Sequence, residues 1–465
     1  MIFTASICTV VEHDSPWYLR AGREILATRK LPLLDPFSYT SHKPWLNHEW
    51  LTEVVLALVD RAGGLVGVGL LQGLMIALAI AVLISARPRK DAAAEAGDRR
   101  AGDRLAGDRL AGLSPIAFAV AAMLLRETAS PRAQLLSTPL FALTFALALR
   151  ETESPSRRLW LIAPLFFVWT QLHGSYPNGV ILLGTLFVAA PSLRHAIAVC
   201  VAALLTCAGP YGFAVHEHYL GARSMLGAIR EFQPLHVALL HGAGVAWGFV
   251  ALEFAAAAAL VVRFRRGERV RFEVVALAVF SLGAIVYVRL ATEASLIAAV
   301  ALAPALTGLP RRLAVSQRNF VGAGAALATI ALAVMVSSRA FGFGFDETRF
   351  PVAAVDYLRR AHPPGPMFNS YNFGGYLMLT FPEDKVFIDG RMYTVYSEEH
   401  IREFLALYDD PSRFRALQRR FGFRLAVVQR RGRGAGLLDW LKHEPGWRVV
   451  YEDPLAVVLT RDAGS

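Results

Sequence analysis

Ten apolar runs, most of them bounded by arginine, constrain this 465-residue chain more than any single motif does. They fall at about 64–86, 113–125, 134–149, 159–172, 176–192, 195–208, 243–262, 273–288, 291–308 and 320–338. Hydrocarbon solvates such segments, and it requires each to satisfy its own backbone as a helix. A charged share of 18% and a mean hydropathy of +0.41 agree, because soluble domains carry nearer a quarter charged residues. The fold class is therefore an α-helical polytopic membrane protein with about 10–11 spans, several short enough to tilt, pair or re-enter.

The net charge of +11 comes mostly from arginine, but it lies between the apolar runs rather than in one nucleic-acid-binding stripe. If the first loop faces outward, the inner loops hold nineteen basic residues, from Arg87 through Arg150 and Arg263 to Arg318. The short outer loops hold only Arg126, Arg132, Arg223, Arg230 and Arg289. That asymmetry is the positive-inside pattern of a multi-pass membrane protein, and it puts residues 14–49 and everything after about 340 outside. Cys8, Cys200 and Cys207 have no metal-ligand spacing and read as small buried hydrophobes. The apolar stretch from Met1 to Val11 lacks a basic n-region and is half the length of a span, so it reads as a truncated first span.

Two domains follow. Residues 1–340 form the transmembrane domain, with a first outer loop at 12–62 and a cytoplasmic linker at 87–112 that repeats Ala-Gly-Asp-Arg. Residues 341–465 alternate short helical and strand patterns and form a small C-terminal α/β extracytoplasmic domain. Helices are predicted at Val352 to Arg360, Glu398 to Tyr408, Pro411 to Phe421 and Gly436 to His443. Strands are predicted at Pro366 to Asn369, Lys385 to Asp389, Arg424 to Gln429, Trp447 to Tyr451 and Ala456 to Thr460.

Chemistry concentrates in the first outer loop. An amphipathic helix opens near Asp14 with Trp17 and Tyr18, a turn-rich Asp35-Pro36-Phe37-Ser38-Tyr39-Thr40 follows, and a second helix begins at Asn47-His48-Glu49-Trp50. The aromatics suit a headgroup layer. Asp14 and Glu49 each start a helix, where a carboxylate can simply cap the end. In the C-terminal domain, a loop from Asn369 to Tyr376 precedes a strand ending in Asp389-Gly390-Arg391, which reads either as a binding cleft or as a tight turn with a structural Asp389–Arg391 pair. No Walker loop, dinucleotide fingerprint or zinc spacing is present.

These segments, with Trp169-x-x-Leu172-His173-Gly174, Gly209-Pro210-Tyr211-Gly212, Arg230-Glu231-Phe232-Gln233-Pro234 and Val386-Phe387-Ile388-Asp389-Gly390-Arg391, resemble uncharacterised bacterial members of the GT-C superfamily, the protein mannosyltransferase-like group among them. The resemblance implies a membrane glycosyltransferase that moves a sugar from a polyprenyl-phosphate donor to a lipid, glycan or protein acceptor at the outer face of the inner membrane. It implies catalytic roles for Asp14, Glu49 and His48, with Asp14 as base, and a divalent Mg or Mn ion at Asp14 and Glu49 if any metal is used. Desolvation at the lipid boundary would raise the basicity of such a carboxylate. His13 stands where the group commonly has a second acid. Arg132, Arg126 and Arg289 are the candidate phosphate ligands, since guanidinium binds phosphate bidentately. His173, Asn369, Tyr371, Asp389 and Arg391 complete the candidate substrate-binding set. A non-catalytic glycolipid-binding or translocation-assisting protein of the same fold is the alternative.

Overall fold

The computed structural model describes residues 10, 12–41, 43–85, 132–221, 232–240, 244–307 and 344–462. The expected spans at 113–125 and 320–338, the linker at 87–112, Cys8 and Arg126 lie outside the described residues. The chain packs as two units, Gly69–Ala214 with Leu226–Gly342, and Thr9–Val68 with Val215–Met225 and Phe343–Ser465.

Among the described residues the first two helices are α1 (Ser15–Thr28) and α2 (Trp50–Ser85). Gly64 interrupts α2 with φ 60 and ψ −159, a conformation that a side chain would resist. The helical unit continues through α3 (Gln134–Glu151), α4 (Ile162–Leu172), α5 (Tyr176–Ala189), α6 (Leu193–Leu205), α7 (Gly244–Arg265), α8 (Arg271–Val286) and α9 (Ala291–Thr307). Prolines and serines punctuate it. Pro177 sits in the first turn of α5, and Ser192 caps α6 by accepting from the His195 amide.

Inside, the helices interdigitate aromatics with alanines: Phe141 meets Phe280 edge-on at 5.3 Å, and Ala142, Ala198, Ala276, Ala294 and Ala298 are fully buried. Outside, Phe254, Leu204, Val188 and Leu282 are at least 64% exposed. An exterior so apolar suits a hydrocarbon solvent. Among the described residues, Trp50–Leu83 and Trp247–Arg265 are long and apolar enough to cross a membrane. Cys200 and Cys207 are exposed rather than buried. Apolar sequence on these helices faces outward as well as inward, so it does not by itself imply burial.

In the other unit, a four-stranded sheet has the order β1-β2-β4-β3, with β1 Met367–Asn369, β2 Leu425–Gln429, β3 Trp447–Glu452 and β4 Ala456–Arg461. β1 pairs parallel to β2, and β4 runs antiparallel to both β2 and β3. Leu425 to Val428 and Ala456 to Leu459 are all buried, the near-continuous apolar run of strands covered on both faces. Helices α10 (Val352–Ala361), α11 (Tyr371–Thr380), α12 (Glu398–Ala406), α13 (Phe414–Phe421) and α14 (Ala435–His443) complete it. Phe368, Phe387, Phe404, Phe414 and Phe423 form its aromatic core.

Two expected elements differ. Lys385 to Asp389 is no strand of the sheet: Val386 makes only an isolated parallel bridge with Ser38, because its partner is the turn-rich first loop. Asn369 to Tyr376 is not a loop, since α11 begins at Tyr371, immediately after β1. Gly374 and Gly375 suggested a turn but instead permit close approach. A Cβ on Gly374 would lie 2.0 Å from the Ile388 carbonyl oxygen, and one on Gly375 would lie 2.8 Å from the His13 carbonyl oxygen.

Gly374→Ala must therefore displace backbone. We expect it to lower the stability of the sheet-containing unit by about 2 kcal/mol or more, read as a fall in its thermal unfolding midpoint. Gly184→Ala, which meets nothing within 4 Å, serves as the control that leaves that midpoint unchanged.

Candidate functional site

Asp14 occupies the N-cap position of α1, yet its side chain makes no capping hydrogen bond. Its carboxylate is turned instead toward Trp17, whose indole Nε1 donates to Asp14 Oδ1 at 3.2 Å. Capping therefore does not account for this acid. Trp17 and Tyr18 stack with ring centroids 3.7 Å apart, and both are buried, 7% and 5% exposed. The headgroup assignment of these two aromatics is overturned: α1 turns them inward, onto the acids. Tyr18 donates its phenol to Glu49 Oε2 at 2.5 Å, and His48 Nε2 lies 3.6 Å from Glu49 Oε1. One turn into α2, buried Glu53 accepts from Asn47 Nδ2 at 2.6 Å.

A second network anchors this surface. Arg391, fully enclosed, donates from Nη1 and Nη2 to both oxygens of Asp35 at 2.6 and 3.1 Å, and from Nε and Nη2 to Asp389 at 2.8 and 2.6 Å. Its guanidinium also lies over the rings of Trp45 and Phe37, 4.9 and 5.3 Å from their centroids. Tyr396 donates to Asp389 Oδ2 at 2.7 Å. Burial alone would raise the Asp389 carboxyl, but the Arg391 charge and its hydrogen bonds outweigh that and hold it below the usual carboxylate range. Burial, with Asp389 beside it, pushes the Tyr396 phenol well above its ordinary value.

The first loop and the C-terminal segment are knitted together by this pairing. Asp35 closes an Asx turn, accepting from the Phe37 amide at 2.9 Å and the Ser38 hydroxyl at 2.7 Å, while its carboxylate clamps Arg391. Val386 donates its amide to the Phe37 carbonyl at 3.0 Å, and the Thr40 hydroxyl donates to the Phe387 carbonyl at 2.6 Å. Asn369 donates to the Ile388 carbonyl at 2.8 Å and accepts from the Phe387 amide at 2.8 Å. Gly390 then abuts the acid itself: a Cβ there would sit 1.9 Å from Asp14 Oδ1. Asp14 and the Asp389-Gly390-Arg391 segment are neighbours although some 375 residues separate them.

The helical unit gathers a separate polar group. Arg289 Nη2 lies 2.9 Å from His173 Nε2; a guanidinium can only donate, so Nε2 accepts and the imidazole proton is on Nδ1. Nδ1 faces the hydroxyls of Ser175 at 2.8 Å and Ser137 at 3.1 Å. Arg289 also stacks over Phe232 at 5.2 Å. Arg132 donates to Gln134 Oε1 at 3.3 Å, one turn before Ser137 on α3. Tyr371 opens α11, half-buried.

Of the expected site residues, the structure joins Asp14, Asp389 and Arg391 through Gly390, pairs His48 with Glu49, and pairs His173 with Arg289. Sequence reading missed Asp35, Tyr396, Ser137 and the donors Trp17 and Tyr18. Asp35-Pro36 carried the signal of an Asx turn, but nothing local reveals a partner at Arg391. Among the described residues no three His, Cys, Asp or Glu side chains form a metal-binding group. Asp14 accepts from Trp17 on Oδ1 and Glu49 from Tyr18 on Oε2.

No protein-family profile and no curated protein matches the chain. Solved structures do. The chain has a GT-C-like fold. It is similar to the Archaeoglobus fulgidus oligosaccharyltransferase in its apo form, with a TM-score of 0.55 and 12% identity over 90% of this chain and 66% of that one. The complex of that protein with Zn and sulfate gives a TM-score of 0.54 at 12% identity, covering 91% of this chain and 64% of the other. ArnT from Cupriavidus metallidurans bound to undecaprenyl phosphate gives 0.52 at 12% identity, covering 100% of this chain and 96% of that one. The chain thus spans just under two thirds of the archaeal protein and nearly all of ArnT.

Because the folded pKa of Asp389 is depressed, its contribution is complete above the ordinary carboxylate value and is lost as pH falls through the folded one. We expect the sheet-containing unit to lose stability below about pH 4. Asp389→Asn is expected to cost about 3 kcal/mol at neutral pH by leaving Arg391 short of a charge, and to flatten the decline in acid. Unfolding followed by tryptophan fluorescence from pH 7 to 2 checks both.

Proposed function

We propose that this protein is a membrane glycosyltransferase that moves a sugar from a polyprenyl-phosphate donor to a hydroxyl-bearing acceptor at the outer face of the inner membrane. The observation that carries this reading is Asp14, a half-buried carboxylate that leaves its helix end uncapped and is aimed by Trp17 and Gly390. The GT-C-like fold supports it, and the undecaprenyl phosphate bound to ArnT supports the donor class.

In the reaction, Asp14 takes the proton of the acceptor hydroxyl as its oxygen attacks the anomeric carbon. The bond from that carbon to the phosphate oxygen breaks, and polyprenyl phosphate leaves with the electron pair. Guanidinium suits a leaving phosphate through bidentate contacts, and Arg289, Arg132 and Arg126 are the expected ligands for it. His173, with its proton on Nδ1, fixes the Arg289 fork through Nε2. Glu49, held by Tyr18 and beside His48, binds the acceptor. Asn369, Asp389 and Arg391 are buried, with their polar groups bonded to protein, so they act by holding the Asp14 surroundings, while half-buried Tyr371 remains a substrate contact. C-terminal residues 341–465 lie outside the membrane with the first loop in this reading.

Asp14→Asn keeps the size of the side chain and removes its basicity. Purified in lipid nanodiscs with labelled undecaprenyl-phosphate sugars and a lipid acceptor fraction, it is expected to transfer at least about a hundredfold more slowly than the parent. Equal rates would remove Asp14 from the mechanism. Binding of the labelled lipid without turnover in the parent would favour a glycolipid-binding role.

A further inference from the structure

Glu293, in the first turn of α9, has no part in the chemistry above. It is 7% exposed in the helical unit. Its Oε1 accepts from Asn178 Nδ2 at 2.8 Å, while Oε2 has no hydrogen-bond partner. The neighbouring Thr292, 4% exposed, also has an unpartnered hydroxyl. Helix-dipole complementation would explain an acid in this turn, but it gives no reason to bury an oxygen without a donor. Four residues earlier, Arg289 is held on His173 Nε2 and stacked on Phe232. A fixed cation and a carboxylate with an open acceptor thus stand one turn apart. Buried ionisable groups in apolar helical bundles mark ligand sites.

We propose that Glu293 is a specificity-determining ligand for the sugar of the donor, accepting a hydrogen bond from a sugar hydroxyl or ammonium group while Arg289 takes the adjoining phosphate. This rests on the polyprenyl-phosphate reading above. The chemistry selects a ligand that carries both an anion and a hydrogen-bond donor, which a phosphate-linked sugar offers and a bare lipid phosphate does not.

The test is binding to protein in nanodiscs of undecaprenyl phosphate alone, and of undecaprenyl phosphate carrying a neutral hexose or an amino sugar. In the parent, at least one sugar-bearing lipid is expected to bind tenfold or more tightly than the bare phosphate, and its identity separates hydroxyl from ammonium recognition. Glu293→Gln can still accept from Asn178 through its carbonyl but turns an amide donor toward the ligand. It is expected to abolish that tenfold gain while leaving undecaprenyl phosphate binding unchanged, which also shows that the variant is folded. Arg289→Ala is expected to weaken all three probes. A Glu293→Gln variant that keeps the gain overturns the role of Glu293 and leaves the donor reading standing. A parent that binds none of the probes overturns both.

Discussion

The ion network around Arg391 is the interaction on which the proposed centre depends. One guanidinium, enclosed by Trp45 and Phe37, is shared by Asp35 from the first loop and Asp389 from the far end of the chain. Such a buried charge is tolerable because it makes charged hydrogen bonds to two carboxylates and lies over two aromatic faces. Its effect is geometric. With Asp35 and Asp389 tied to one cation, the intervening Gly390 is drawn against Asp14, and the absence of a side chain there leaves room for the carboxylate.

Around that tie, the packing has one direction. Gly374 and Gly375 let α11 press onto the Ile388–Asp389 backbone and onto His13, and Gly22 does the same between α1 and α2, where a Cβ would lie 2.0 Å from the Glu53 carbonyl. Trp17 and Tyr18 then fill the space and donate to the two acids. The first loop is consequently a part of the sheet-containing unit rather than a tether on its surface. His13, whose imidazole burial holds below its ordinary value, contributes a backbone contact and a ring against Phe350 at 5.3 Å.

Much of this was legible in the sequence. The α/β alternation after 350 gave helices and strands within one or two residues at Val352–Ala361, Leu425–Gln429 and Ala456–Arg461, because each carries its own period and its own stop signal. Asp14 and Glu49 stood out as acids among aromatics. The partners did not, since Asp35–Arg391 and Asn369–Phe387 are nonlocal, and no short-range pattern encodes which distant turn will supply a carbonyl. The aromatics misled for a related reason: Trp and Tyr favour a headgroup layer and a buried hydrogen-bonding site equally, and only packing decides. Val386 to Asp389 has strand composition, but the element beside it is an irregular loop, so no ladder forms.

The central claim is that close approach at Gly390 positions Asp14 for chemistry. Its most direct test is the transfer rate of Gly390→Ala, assayed beside the parent under the same donor and acceptor, with the melting temperature of each recorded. The added methyl would fall on Asp14 Oδ1, so the rate is expected to drop toward that of a protein lacking the acid while the fold persists. A folded Gly390→Ala protein that transfers sugar at the parental rate would contradict the account.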